Sequence, residues 1–408
     1  MRVIYNLTIN LYLIAIRIFA LFDKKAKLWI KGRKIQTLPT LKDKKVIWMH
    51  CSSLGEFEQG RPVLEKLRSL KKDHIFVLTF FSPSGYEKIK NSNIADYILY
   101  LPIDLPSYTE EFVKKINPEL AIFVKYDFWY NYLRTLNKKK IKTIFISVLL
   151  DKDHRLLKSY NRILINELKK IKYIFTQDEE TLELLKKNGF ENVLKAGDTR
   201  IERVMEIAGS DFSDKIIEKF VSKDKKTLIC GSTWKKDIEV IAASQDFLLP
   251  GFKMIIAPHE ITKGQIDYIV MSFKNKKIAF YSKNKDEEIK DADILIVDTI
   301  GILSKIYRYA NLVFIGGGFG NGIHNTLEPA AYFVPVIFGT KYHRFYEAQK
   351  LVERKAFFSV KNTSELREIV LSLESNEFLN TAKNNIIAFF NENKGATKII
   401  IDHLEKSN

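Results

Sequence analysis

The 408-residue sequence predicts two doubly wound α/β domains, and three observations predict them. Short, continuous, β-branched apolar runs alternate with longer amphipathic stretches, the pattern of parallel strands covered by helices on both faces. The runs fall into two sets, separated by a Gly-Ser-Asp stretch at 209–211 and a charged segment that continues to Lys226. At about 150 residues per domain the length also favours more than one.

The first set reads VIWMH (46–50), IFVLTF (75–80), YILYL (97–101), LAIFV (120–124), TIFIS (143–147) and YIFTQ (173–177). The second reads TLICG (227–231), KMIIA (253–257), KIAFY (277–281), DILIV (293–297), NLVFIGG (311–317) and VPVIFG (334–339). In open sheets of this kind ligands bind beyond the carboxyl ends of the strands, so a cleft between two such domains is the expected site. Residues 380–408 read as helical and polar.

Ahead of these sets, residues 1–22 are mostly apolar. Their polar residues Arg2, Asn6, Asn10 and Arg17 fall within one sector of about 80° on a helical projection, interrupted by Leu13. No small-residue cleavage site follows, which argues against a signal peptide. Arg17 would sit deep in hydrocarbon if the helix spanned a bilayer. A helix lying in one leaflet fits better. Residues 23–45 then carry nine Lys/Arg and two Asp, so +7 of the net +17 lies in 23 residues. Basic runs beside an apolar helix attract anionic leaflet lipids at about 1 kcal/mol per basic residue. A helix packed on the chain's own core, followed by a solvated loop, is the alternative.

Hydrophobic residues make up 46% and charged residues 28%, which excludes a disordered chain. The basic balance favours anionic partners. Cys51 and Cys230 are far apart, and no two of the seven histidines share metal-ligand spacing, so neither a disulfide scaffold nor a zinc site is expected. No nucleic-acid-reading motif accompanies the charge.

Four loops, each following a predicted strand, concentrate Gly, Ser/Thr and ionisable residues. In HCSSLGE (50–56), Glu56 sits in a first helical turn, either as a cap or as a general base. SPSG (82–85) and GSTW (231–234) offer helix-start N–H groups for an anion, Ser232 and Thr233 among them. The fourth loop, from Gly316 to Pro329, holds five glycines in seven residues followed by His324, Asn325 and Glu328. It fails the G-x-G-x-x-G dinucleotide spacing and lacks a Walker lysine. It suits a sugar nucleotide at a helix start, with Glu328 on ribose hydroxyls.

The series HCSSLGE, SPSG, YLPIDLP (100–106), FWYN (128–131), GSTW, DTIGIL (298–303) and GIHNTLEPAA (322–331), with WIKGRK (29–34) ahead of it, resembles the Kdo transferase family. Those enzymes move 3-deoxy-D-manno-oct-2-ulosonic acid (Kdo) onto lipid A. The resemblance runs from about residue 1 to 350. It implies a glycosyltransferase B fold and a CMP-Kdo donor. It also implies a lipid A precursor as acceptor, no cofactor or essential metal, and a place on the cytoplasmic face of the bacterial inner membrane against its anionic leaflet. The family's general base falls on Glu56. Its transition-state-stabilising positions fall on Lys125 and Arg200. Its CMP-binding positions fall on Pro258 and His259, on Ile300, Gly301 and Ile302, and on Asn325, Thr326, Leu327 and Glu328. The implied organisation is a membrane helix at 1–22, an acceptor-binding domain at 23–208 and a CMP-sugar domain at 209–408.

The chain departs from the family's pattern. Lys125-Tyr126-Asp127 stands where the family usually has Glu-Thr-Glu, Ile300-Gly301-Ile302 replaces Met-Gly-Glu, and Arg200 replaces a lysine. Two rivals stand beside this reading: a transferase of the same fold using a different nucleotide sugar, and a non-catalytic membrane-tethered anion-binding protein. No nucleic-acid partner is expected.

Overall fold

The computed structural model describes residues 1–221, 224–283 and 286–406. Residues 222–223, in the stretch read as a linker, and the final 407–408 lie outside them. The chain divides into two compact units, residues 1–202 with 394–408, and residues 203–393.

In the first unit, α1 (Arg2–Phe19) and α2 (Lys24–Ile35) precede a seven-stranded sheet. Its strands are β1 (Val46–Cys51), β2 (Ile75–Phe80), β3 (Tyr97–Tyr100), β4 (Leu120–Val124), β5 (Lys142–Val148), β6 (Tyr173–Thr176) and β7 (Val193–Lys195), all parallel, in the order β3-β2-β1-β4-β5-β6-β7. The helices that matter below are α3 (Leu54–Leu70) after β1, α4 (Pro106–Ile116) after β3 and α5 (Arg200–Gly209) after β7. Every residue of β1 and β4 is buried, because helices cover both faces. Trp48, Phe112, Phe123 and Phe145 fill one face, and Met49, Phe57, Leu64 and Ile122 fill the other. Such double coverage is what makes these strands read as unbroken apolar runs.

The second unit has its own parallel sheet. Its strands are β8 (Lys226–Thr233), β9 (Phe252–Pro258), β10 (Ile278–Phe280), β11 (Ile294–Ile296), β12 (Leu312–Ile315), β13 (Val336–Phe338) and β14 (Phe357–Ser359), in the order β10-β11-β9-β8-β12-β13-β14. Helix α6 (Lys235–Ala243) follows β8, and the single turn α7 (Leu327–Ala330) follows the glycine-rich loop after β12.

Three features differ from the sequence reading. Strands β7 and β14 add one strand to each sheet beyond the runs read from the sequence. The 209–221 part of that stretch is held within the second unit: the Arg308 guanidinium donates to the carbonyls of Ser210 and Phe212, both at 2.9 Å, and Ile217 and Phe220 are buried. The C-terminal helix α8 (Ala396–Lys406) belongs to the first unit, not to a domain running 209–408. Its stripe of Ala396, Ile400, Ile401 and Leu404 packs into the cluster of Met49 and Leu64, burying the one apolar face that a helical period presents.

Candidate active site and nucleotide site

In a doubly wound sheet the chain turns left from one central strand and right from its neighbour, leaving a crevice at their carboxyl ends. In the first unit that switch lies between β1 and β4. The loop after β1 carries Ser52, Ser53 and Glu56, and the loop after β4 carries Lys125 and Asp127.

Glu56 is the third residue of α3, and its Oε2 accepts from the backbone N–H of Ser53 at 2.8 Å, closing a capping box. The cap and base roles left open by the sequence are therefore not exclusive. Burial first, and the nearby charge of Asp127 second, push the Glu56 carboxyl up to about 7, against the pull of Lys125 and of Ser53. A carboxylate of that basicity titrates near the working pH, as a general base requires.

Asp127 is itself held in place. Ser52 Oγ donates to its Oδ2, and the same oxygen lies 3.1 Å from Nε2 of the buried His50. His50 Nδ1 lies 2.9 Å from Thr79 Oγ1, and the Trp129 indole N–H points at His50 Nε2 from 3.3 Å. His50, Ser52 and Trp129 stand in motifs noted in the sequence, but nothing in their spacing assigned them to Asp127, because β1 and β4 become neighbours only in the sheet.

Lys125 has φ +63, a left-handed conformation uncommon for a residue with a side chain. Strained backbone of this kind clusters at functional sites. The charge of Lys125 reaches Glu56, which makes it a local cation at the position where the family has an acid. Arg200 opens α5, with its Nη2 at 2.6 Å from Asp198. Its segment is tied towards α3, because Thr199 Oγ1 donates to the carbonyl of Gln59 and meets Ser147 Oγ at 3.0 Å.

The second unit repeats the topology, with its switch between β8 and β12. Here Trp234 after β8, His259 after β9 and His324 after β12 form a ring stack, with centroids 4.6 Å apart for Trp234–His259 and 4.2 Å for His259–His324. Trp234 Nε1 donates to His324 Nε2 at 2.8 Å. Burial, with the neighbouring His259, lowers the His324 pKa to about 4, so the ring is neutral and accepts that bond.

Asp237 organises the same loops and was not singled out in the sequence. Its Oδ2 accepts from the backbone N–H of Trp234 and of Gly317, each at 2.8 Å, joining the GSTW loop to the glycine-rich loop. An acid three residues after a loop reads as an ordinary cap, so its second role was invisible. Gly316 and Gly318 are explained by packing: a Cβ on Gly316 would lie 2.3 Å from the carbonyl oxygen of Ser232, and one on Gly318 would lie 2.5 Å from the nitrogen of Gly339.

The expected nucleotide-binding residues gather on these loops. Ser232 has φ +54. Asn325 Nδ2 donates to Glu328 Oε1 at 2.9 Å, and Asn325 Oδ1 accepts from the N–H of Leu327 at 3.1 Å. The hydroxyls of Thr233 and Thr326 are buried without a hydrogen-bond partner among the described residues. Buried polar atoms left unpaired are unusual and call for a ligand or water. Ile300, beside Gly301 and Ile302, is 85% exposed after β11, and Pro258 closes β9 ahead of His259.

Residues 29–203 match the family described as 3-deoxy-D-manno-octulosonic-acid transferase (kdotransferase). The 3-deoxy-D-manno-octulosonic acid transferase of Aquifex aeolicus is 28% identical over 332 residues, covering 79% of this chain and 84% of that one. This chain is thus similar to Kdo transferases over most of its length. A bifunctional glycosyltransferase/methyltransferase of Fusobacterium nucleatum is 28% identical over 402 residues, covering 96% of this chain, and the chain spans 61% of that protein's length. The UDP-GlcNAc 2-epimerase of Neisseria meningitidis superposes with a TM-score of 0.63 at 15% identity, covering 89% of this chain and all of that one. The chain has the glycosyltransferase B fold, as its two parallel sheets indicate.

Proposed function

We propose that the protein moves Kdo from CMP-Kdo to a lipid A precursor, with inversion at the anomeric carbon and Glu56 as general base. The observation that carries this reading is the pair of carboxylates at the β1/β4 switch: Asp127 is clamped by Ser52 and His50, and Glu56 beside it is raised to about 7. The Glu56 carboxylate takes the proton of the acceptor hydroxyl as that oxygen bonds to the anomeric carbon. The bond from that carbon to the CMP phosphate breaks, and CMP leaves with the electron pair. The charge growing on the phosphate is assigned to the N–H groups at the start of α6 and the Thr233 and Thr326 hydroxyls. The family resemblance gives Lys125 and Arg200 the role of stabilising the transition state. Glu328, oriented by Asn325, takes the ribose hydroxyls. Pro258, His259 and the Ile300-Gly301-Ile302 turn flank the base. Product mass after incubation with CMP-Kdo and a lipid A precursor tests the reading. A donor preference for a UDP-sugar would favour the same-fold rival.

Two further results are expected. Because Glu56 must be ionised to accept a proton, kcat/KM should fall tenfold per unit as pH drops below about 7. A flat profile between pH 5.5 and 8 would remove the carboxylate from the rate-determining proton transfer. With fixed dipoles and cations assigned to the leaving phosphate, EDTA at millimolar level should leave turnover unchanged, and loss restored by Mg²⁺ would overturn that assignment.

The same reading places the enzyme on the cytoplasmic face of the inner membrane. Helix α1 is long and apolar, with no residue buried. Tyr5 and Asn6 turn inward, to Asp104 at 2.5 Å and Asn131 at 2.9 Å, while Ile4, Leu7, Leu11, Ile14 and Ile18 face out. Angularly, Leu13 belongs to the inward side, which explains why it interrupts the polar sector. Deleting residues 2–22 should release the protein from anionic vesicles, and salt should weaken what binding the 23–45 cations retain. Equal sedimentation with and without the helix would exclude this role.

A further inference from the structure

Between α1, α2 and α4 the first unit holds a cavity of about 930 Å³. Leu13, Ile16, Trp29, Ile30 and Ile103 give it apolar walls. Arg17, Arg33 and Lys34 also line it, and among the described residues none of the three has a carboxylate within ion-pair distance. The acid on the wall, Glu111, is already paired with Lys115 at 2.8 Å.

Arg33 is the most telling of these. Its Nε and Nη2 donate only to carbonyls, of Leu101 at 2.9 Å and Phe81 at 2.7 Å, and its guanidinium lies 3.8 Å over the Trp29 ring. Burial pulls its pKa down to about 9, so its charge is held at a cost that an anion would relieve. Trp29 is 5% exposed, and its indole N–H has no acceptor among the described residues. An apolar cavity with uncompensated cations and a spare donor is complementary to an amphiphile with an anionic head, not to a peptide or a sugar alone.

We propose that this cavity is an anchoring site for the lipid acceptor, taking an acyl chain against Leu13, Ile16 and Ile103 and a phosphate at Arg17, Arg33 and Lys34. Two observations favour the acceptor over bulk phospholipid. Helix α1, whose Ile4, Leu7, Leu11 and Ile14 are exposed, also supplies Leu13, Ile16 and Arg17 to the cavity wall. The inner wall is continuous with the catalytic cluster: Trp29 packs on Phe81 with centroids 5.6 Å apart, Phe81 on Trp129 at 4.9 Å, and Trp129 reaches His50. One molecule can therefore be gripped by its tail and phosphate while its sugar hydroxyl lies towards Glu56.

This inference rests on the transferase reading for the identity of the lipid, so its test needs a readout apart from turnover. A brominated dodecyl phosphate, used as a monomer without vesicles, quenches tryptophan on contact. Saturable quenching is expected in the full chain, lost in Trp29→Phe and weakened about tenfold in the Arg17→Glu/Lys34→Glu double variant, with brominated dodecanol quenching far less. Quenching that survives Trp29→Phe, or is equal for the phosphate and the alcohol, would overturn the site. In turnover, Ile16→Glu, on a helix with no core residue, should shrink the enzyme's preference for an acylated over a deacylated acceptor about tenfold. An unchanged preference beside intact quenching would refute the acceptor as occupant. Absence of Kdo transfer in the unaltered chain, with quenching present, would refute the transferase reading alone.

Discussion

Replacing Glu56 by Gln should lower turnover by about 10²–10⁴ while CMP-Kdo affinity stays within about twofold, because the amide keeps the shape but cannot take the acceptor proton. The amide oxygen can still accept from the Ser53 N–H, so the capping box survives. The stability outcome has a definite sign. The Glu56 pKa in the folded chain, about 7, lies above the ordinary 4.5, so its ionised form weakens folding progressively as pH rises from about 4.5 to 7. Gln lacks that cost, and at pH 8 the variant should melt no lower than the parent. Kinetic loss with an equal or higher melting temperature is thus the expected pair of results. Normal turnover with a lowered melting temperature would make Glu56 a cap alone and move the search for the base to Asp127.

Glu328→Ala should weaken CMP binding by about 1.5–3 kcal/mol, the range for hydrogen bonds to a charged group. Its carboxylate is partly exposed at the first turn of α7 and held by Asn325, so little of the fold depends on it. Calorimetry on the folded variant measures the effect directly. Unchanged CMP affinity would reassign Glu328 to local structure. Asn325→Ala, which removes one donor to the carboxylate without removing the carboxylate, should give a smaller loss of the same kind.

The alternation of strands and helices was legible throughout the two sets because each strand is covered on both faces and so writes itself as an apolar run. Glu56, the GSTW loop and the Asn325–Glu328 turn were legible as well, since each lies just past such a run, whereas Lys125 was named only through the family resemblance. Other features could not be read this way. The Trp234, His259 and His324 stack draws one ring from the segment after each of three strands, and the pairing of His50 with Asp127 joins residues 77 positions apart.

What the sequence by itself determined is local: the existence and type of elements, the basic run at 23–45, and the residues placed at strand ends. These follow from periodicity and chain order, which need no partner. Tertiary structure alone decided which strand ends meet. Setting β4 beside β1 put Asp127 against His50 and Ser52, and burial then raised Glu56, a desolvation effect that no linear spacing encodes. It also decided that α8 returns to the first unit, where its apolar stripe finds the uncovered face of the β1 and β4 side. A helix records in its sequence that one face must be buried, but not which surface will bury it.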